Sequence, residues 1–236
     1  MHAVRAALAA SGADGPSSES VGSLLQMLSG TCTMDLHICS IGGVGSTFLS
    51  NFANRHGLTT NLLTDQDGLR HCPSPPRSAA GSAIRRGVYL FGNPLDSVAS
   101  HFQRGRALHQ ATKTSGSCNL PEQPFRSLSE YLDRGEDLFG YTAHFHNWFR
   151  EPVSYDVMCV RYERMFDHHN AEALLGFAFQ ERLHIVNLEQ LVLEFCASAR
   201  PRRNQLYDLQ ASTMYSELQA EIDGLPDCFL RRACLP

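Results

Sequence analysis

Three runs of mostly apolar residues punctuate this chain, and each is followed by a turn and then by a helical pattern. The first, Leu36-His37-Ile38-Cys39-Ser40-Ile41, is short, which predicts a buried strand. Glycines follow at 42, 43 and 45, and then Phe48, Leu49, Phe52 and Ala53 form one face of a helix that Gly57 should stop. The second run, Gly87-Val88-Tyr89-Leu90-Phe91, is continuous, as in a parallel strand covered on both faces. Asn93 then serves as N-cap and Pro94 as first helical residue, with Leu95, Val98, Ala99 and Phe102 at i, i+3, i+4 and i+7 before a stop at Gly105. The third run, Val157-Met158-Cys159-Val160-Arg161-Tyr162, leads into a helix after Glu163. Strands alternating with helices predict an α/β fold with a central parallel sheet and helices on both faces.

The rest of the chain carries weaker signals. Residues 1–33 are rich in Ala, Gly and Ser and read as a poorly ordered leader, with one helix around 21–28. The polar stretch 103–124, which holds Ser115-Gly116-Ser117, reads as a long loop. Helical patterns resume over 128–149, and from Ala171 onward the chain reads as helices broken at Arg200-Pro201 and at Gly224-Leu225-Pro226. A single domain over 34–236 is expected, since 236 residues suit one sizeable core.

Composition narrows the class. With 43% apolar and 19% charged residues the chain is that of a globular protein. The net charge of −4 offers nothing to attract nucleic acid or an anionic membrane. No apolar run approaches the ~20 residues of a membrane span, so a soluble, cytoplasmic protein is expected. The eight cysteines are scattered without a C-x-x-C pair, which suits reduced, structural thiols. Lys113 is the only lysine, so no lysine lies near the glycine-rich loop in sequence.

That loop, Ile41-Gly42-Gly43-Val44-Gly45-Ser46-Thr47, carries the chemistry. Glycines let a backbone turn tightly and approach a ligand closely. Ser46 and Thr47 open a helix whose first N–H groups lack internal partners and whose dipole end is positive, a ready site for phosphate. A glycine-rich turn without a ligand fits the same residues. The nucleotide-triphosphatase loop ends in Gly-Lys-Ser/Thr, and here Gly45 runs directly into Ser46. The strand at 87–91 also ends in Gly92-Asn93 rather than in a magnesium-binding aspartate.

At this point the chain resembles the sulfotransferases that use 3′-phosphoadenosine 5′-phosphosulfate (PAPS). Gly45-Ser46-Thr47-Phe48-Leu49 is similar to the end of their first motif, and Gly92-Asn93-Pro94-Leu95-Asp96, with Ser100 beyond it, to their second. Arg161-Tyr162-Glu163 resembles their later Tyr-Glu motif, and Leu69-Arg70-His71-Cys72-Pro73 the segment that often holds their catalytic histidine. The resemblance spans residues 38–166 and implies a three-layer P-loop-type fold. It further implies that Gly42, Gly43, Val44, Gly45, Ser46 and Thr47 grip the 5′-phosphosulfate of PAPS, that Ser100 binds the 3′-phosphate, and that Tyr162 lies near the adenine. His71 would be the general base toward a hydroxyl or amine of a small-molecule or carbohydrate acceptor, and no metal is implied. A loop histidine ahead of a proline-rich turn fits His71 as well.

Two positions depart from that pattern. The first motif's usual lysine maps to Gly43, and the arginine expected before Asn-Pro is Gly92. Other arginines, namely Arg85, Arg86, Arg104 or the Arg200/Arg202/Arg203 cluster, could supply the charge. Otherwise the domain keeps only an anion or nucleotide pocket. Trp148, with Phe145 and Phe149, reads as core, and His56, His101, His144 and His146 as packing or surface residues.

Overall fold

Each of the three apolar runs forms a strand: β1 (His37–Ser40), β2 (Gly87–Phe91) and β3 (Val157–Arg161). They are parallel and in register, with Ser40 beside Leu90 and Leu90 beside Val160. Every residue in them is buried except the half-buried Arg161. Covering both faces explains why these runs show no polar alternation. The computed structural model describes residues 34–62, 69–76, 84–115, 125–199 and 213–234. The expected leader over 1–33 and the break at Arg200-Pro201 lie outside the described residues.

Two expectations are corrected. A fourth strand, β4 (Cys228–Arg231), pairs antiparallel with β3, Cys159 facing Phe229, so the sheet is mixed rather than wholly parallel, in the order β1-β2-β3-β4. It lies where helix was expected, because four half-buried residues are too few to display a period. The polar stretch 103–124 is also not all loop, since it holds a helix over Ala107–Thr114. Its buried stripe is Ala107, Gln110, Ala111 and Thr114, at helical spacing but without one large apolar side chain.

Among the described residues the helices are α1 (Ser46–Arg55), α2 (Pro94–Gln103), α3 (Ala107–Thr114), α4 (Leu128–Arg134), α5 (Tyr141–Arg150), α6 (His168–Ala178), α7 (Leu188–Ala197) and α8 (Ser216–Asp223). Asn93 caps α2 by accepting from the Asp96 amide at 3.0 Å, with Pro94 at the first position. α5 lies over the β2 residues Tyr89 and Phe91. Trp148 stacks on Tyr89 with ring centroids 4.9 Å apart, and Phe149 meets Phe91 edge-on at 5.7 Å. Such pairs add about 0.5–1.5 kcal/mol each beyond area burial, and Trp148 is wholly buried as expected. No described helix is long and apolar enough to cross a membrane.

Because β1, β2 and β3 run the same way in register, their carboxyl ends share one edge of the sheet. The loop 41–45, the turn at 92–93 and a 3-10 turn over Tyr162–Arg164 therefore lie at the same end of the sheet.

Candidate functional site

The loop between β1 and α1 is built on left-handed backbone. Gly42, Gly43 and Gly45 have φ of +92°, +69° and +82°, which L side chains rarely adopt. Close packing makes the same demand. A Cβ at Gly42 would lie 2.6 Å from Gln110 Nε2, and one at Gly45 would lie 2.7 Å from the Tyr162 ring. Val44 between them is wholly buried and anchors the loop in the core. The Ser40 hydroxyl accepts from the Gly42 amide at 3.1 Å and donates to Ser46 Oγ at 3.0 Å, fixing the loop's base.

The start of α1 is electrostatically open. Gly45 is its N-cap, no side chain caps it, and its first turn holds no acid. Its first amides thus keep the positive end of the helix dipole unneutralised. Beside the loop, α2 presents Ser97 and His101, both at least nine-tenths buried. Ser97 Oγ and His101 Nε2 have no hydrogen-bond partner among the described residues, and His101 Nε2 aims at Gly42, 2.7 Å from where its Cβ would be. Burial, and then the positive charges of Arg104, Lys113 and Arg106 together with His71, hold His101 down to about 3, so its ring is neutral at pH 7.

A second segment reaches the loop from the other side. The 3-10 turn Leu69–His71 and the residues after it are fastened to both β1 and α5. His37 Nε2 donates to the Leu69 carbonyl at 2.7 Å, Trp148 Nε1 donates to the Cys72 carbonyl at 3.0 Å, and Asn147 donates to the Pro73 carbonyl at 3.1 Å. So held, Arg70 Nη1 donates to Thr47 Oγ1 at 3.0 Å, in the first turn of α1. His71 is buried, and its Nδ1 donates to the Ser40 carbonyl at 2.9 Å. That bond fixes the proton on Nδ1 and leaves Nε2 as the basic nitrogen of the neutral ring.

No family model matches the chain, and no curated protein or solved structure matches it.

The turn after β2 has the opposite character. The Asn93 amide donates to Glu163 Oε1 at 3.0 Å, and a Cβ at Gly92 would lie 2.7 Å from the same oxygen. A carboxylate therefore stands where the resemblance implies an arginine. Ser100 is half-buried on α2, one residue before His101, while Ser97 and His101 are the α2 residues against the loop glycines. Tyr162 packs on Gly45 through its ring. Among the arginines proposed as substitutes, Arg85 and Arg86 pair with Glu181 at 2.6 Å each, ahead of β2 and so at the far edge of the sheet. Arg104 lies on the loop's side, close enough to depress His101, and the Arg200/Arg202/Arg203 cluster lies outside the described residues.

Sequence reading missed four participants: Arg70 as the cation beside the loop, His101 and Gln110 as its wall, and Glu163 as the acid at the second turn. Arg70 had a signal in its place next to His71, and Glu163 in its place after Tyr162. Glu163 and Gln110 act across separations of 70 and 69 residues, and His101 packs through a face that no local pattern marks.

Proposed function

We propose that this chain transfers a sulfonate group from PAPS to a hydroxyl or amine acceptor, small molecule or carbohydrate, at the loop after β1. One observation carries the reading: adjacent residues of one turn, Arg70 and His71, fasten to the two ends of the glycine loop, Arg70 to Thr47 at the uncapped start of α1 and His71 to the Ser40 carbonyl at the end of β1. In this reading the amides of 42–47 and the hydroxyls of Ser46 and Thr47 hold the 5′-phosphosulfate, within a P-loop-type fold with helices on both faces of the sheet. Arg70 supplies the positive charge that Gly43 lacks. A lysine at position 43 would be strained there, since its φ is +69° and its Cβ would come within 3.2 Å of Ser97 Cα.

His71 Nε2 takes the proton of the acceptor as its oxygen or nitrogen bonds to sulfur. The bond from sulfur to the phosphate oxygen breaks in line, and Arg70 with the loop amides bears the charge left on that phosphate. Tyr162 flanks the adenine and Ser100 the 3′-phosphate. The phosphosulfate half of the donor fits the residues at hand, and the 3′-phosphate half meets the Glu163 carboxylate.

That carboxylate favours a second reading, an anion- or nucleotide-binding protein of this fold with impaired transfer. Release of 3′,5′-ADP from PAPS, measured over a panel of phenol, sugar and amine acceptors, separates the two. Acceptor-dependent release that falls by ~10²–10⁴-fold in His71→Ala supports transfer. Binding of 3′,5′-ADP without release from PAPS supports the second reading, and tight binding of ATP with magnesium instead would point to a kinase or NTPase.

A further inference from the structure

Beneath the turn that carries Arg70 and His71, two thiols meet. Cys39, in β1, is wholly buried, and its Sγ lies 3.8 Å from Cys72 Sγ. Cys72 Sγ also donates to the Leu69 carbonyl at 3.2 Å, within its own turn. Both are free cysteines. A disulfide needs sulfurs ~2 Å apart, so the two sulfurs must approach by about 2 Å to close the bond.

The two sulfurs differ in a way that suits stepwise oxidation. The Cys39 hydrogen bond, and then the His37 ring, hold the Cys72 thiol down to about 6 against the opposing effect of burial. Burial pushes Cys39 up, as it does Cys159 and Cys228. The groups facing Cys72 are Cys39 and His37 from β1, Tyr89 from β2, His144 from α5 and Tyr155 ahead of β3. The lowered thiol has the other against it as a resolving partner, the arrangement of a redox-sensitive pair.

We propose that Cys39 and Cys72 are an oxidation site that closes to a disulfide with hydrogen peroxide and thereby shifts the turn holding Arg70 and His71. The Cys72 thiolate attacks one peroxide oxygen, the O–O bond breaks, and hydroxide leaves to become water, giving a sulfenic acid. Cys39 sulfur then attacks that sulfur, forming S–S and breaking S–O, and the hydroxyl leaves as a second water with the Cys39 proton. Two thiols lose two electrons and two protons, and one peroxide becomes two waters. Cys72 follows His71 directly and Cys39 precedes Ser40, so the new bond draws together the two segments that the His71–Ser40 hydrogen bond already joins. An effect on transfer rests on the function proposed above, whereas the cross-link and the shift of the turn do not.

The test uses the full chain, reduced and then treated with stoichiometric hydrogen peroxide. Mass spectrometry should show a loss of two hydrogens, with a Cys39–Cys72 peptide as the first cross-link among the eight cysteines. Cys72→Ser should abolish it, and Cys39→Ser, which keeps a hydrogen-bond donor beside Cys72, should leave a dimedone-trappable sulfenic acid there. The oxidation rate should level off at a lower pH than that of an ordinary thiol, which keeps rising toward pH ~8.5. The only tryptophan, Trp148, donates to the Cys72 carbonyl, so its single indole N–H resonance should move on oxidation of the wild type and stay fixed in Cys39→Ala. A first cross-link through other cysteines, or oxidation of Cys72 no faster than of the exposed Cys234, would overturn the site. A cross-link that leaves the indole signal in place would overturn the shift of the turn.

Discussion

The two strand-turn-helix units at the start of this fold are built alike and differ in how their helices begin. After β1 the chain turns on three left-handed glycines, α1 starts without a side-chain cap, and Arg70 leans on its first turn. After β2 the chain turns once, Asn93 caps α2, Asp96 sits in its first turn, and Glu163 takes the Asn93 amide. The positive end of α2 is therefore answered from within the protein, and that of α1 is left for something else. A helix N-terminus becomes an anion site only where the fold declines to neutralise it.

The largest effect should come from removing the cation at the first unit. Arg70→Ala takes away a charge-assisted hydrogen bond to a bound anion, about 1.5–3 kcal/mol, and so should weaken 3′,5′-ADP by roughly 10–100-fold in calorimetric titration. Next comes the backbone of the same loop. Gly45→Ala forces a Cβ onto the Tyr162 ring at a φ of +82°, and urea unfolding should show a loss of about 1–3 kcal/mol.

At the second unit the effects should be smaller and should not weaken binding. Asn93→Ala removes the cap of α2 and should cost about 0.5–2 kcal/mol in the same unfolding experiment, with 3′,5′-ADP affinity unchanged. Glu163→Gln should give the mildest change. Removing one exposed carboxylate beside the start of a helix should tighten 3′,5′-ADP by roughly 2–5-fold at low salt, and less as salt rises. Equal losses of binding from the two units would erase the contrast between them.

Much of the scaffold was legible because its signals are local. The β2 run and the Asn93-Pro94 start are self-contained, and strand and helix fall where they were expected. α3 stayed hidden because its buried face is made of Ala107, Gln110, Ala111 and Thr114, which read as polar loop. β4 stayed hidden because four residues at a sheet edge show no period and pair with a strand some 70 residues earlier. In the sequence the candidate site was drawn from the loop 42–47, His71, Ser100 and Tyr162. Its charges depend on contacts across the fold: Arg70 meets Thr47 over 23 residues and Glu163 meets Asn93 over 70.

Calorimetric titration of the full chain with 3′,5′-ADP, on the wild type and on Arg70→Ala and Asn93→Ala in parallel, tests the central claim most directly. Micromolar binding that is weakened by Arg70→Ala and untouched by Asn93→Ala is the predicted result. Absence of binding to the wild type, or binding indifferent to Arg70, would contradict the assignment of the loop after β1 as the anion site.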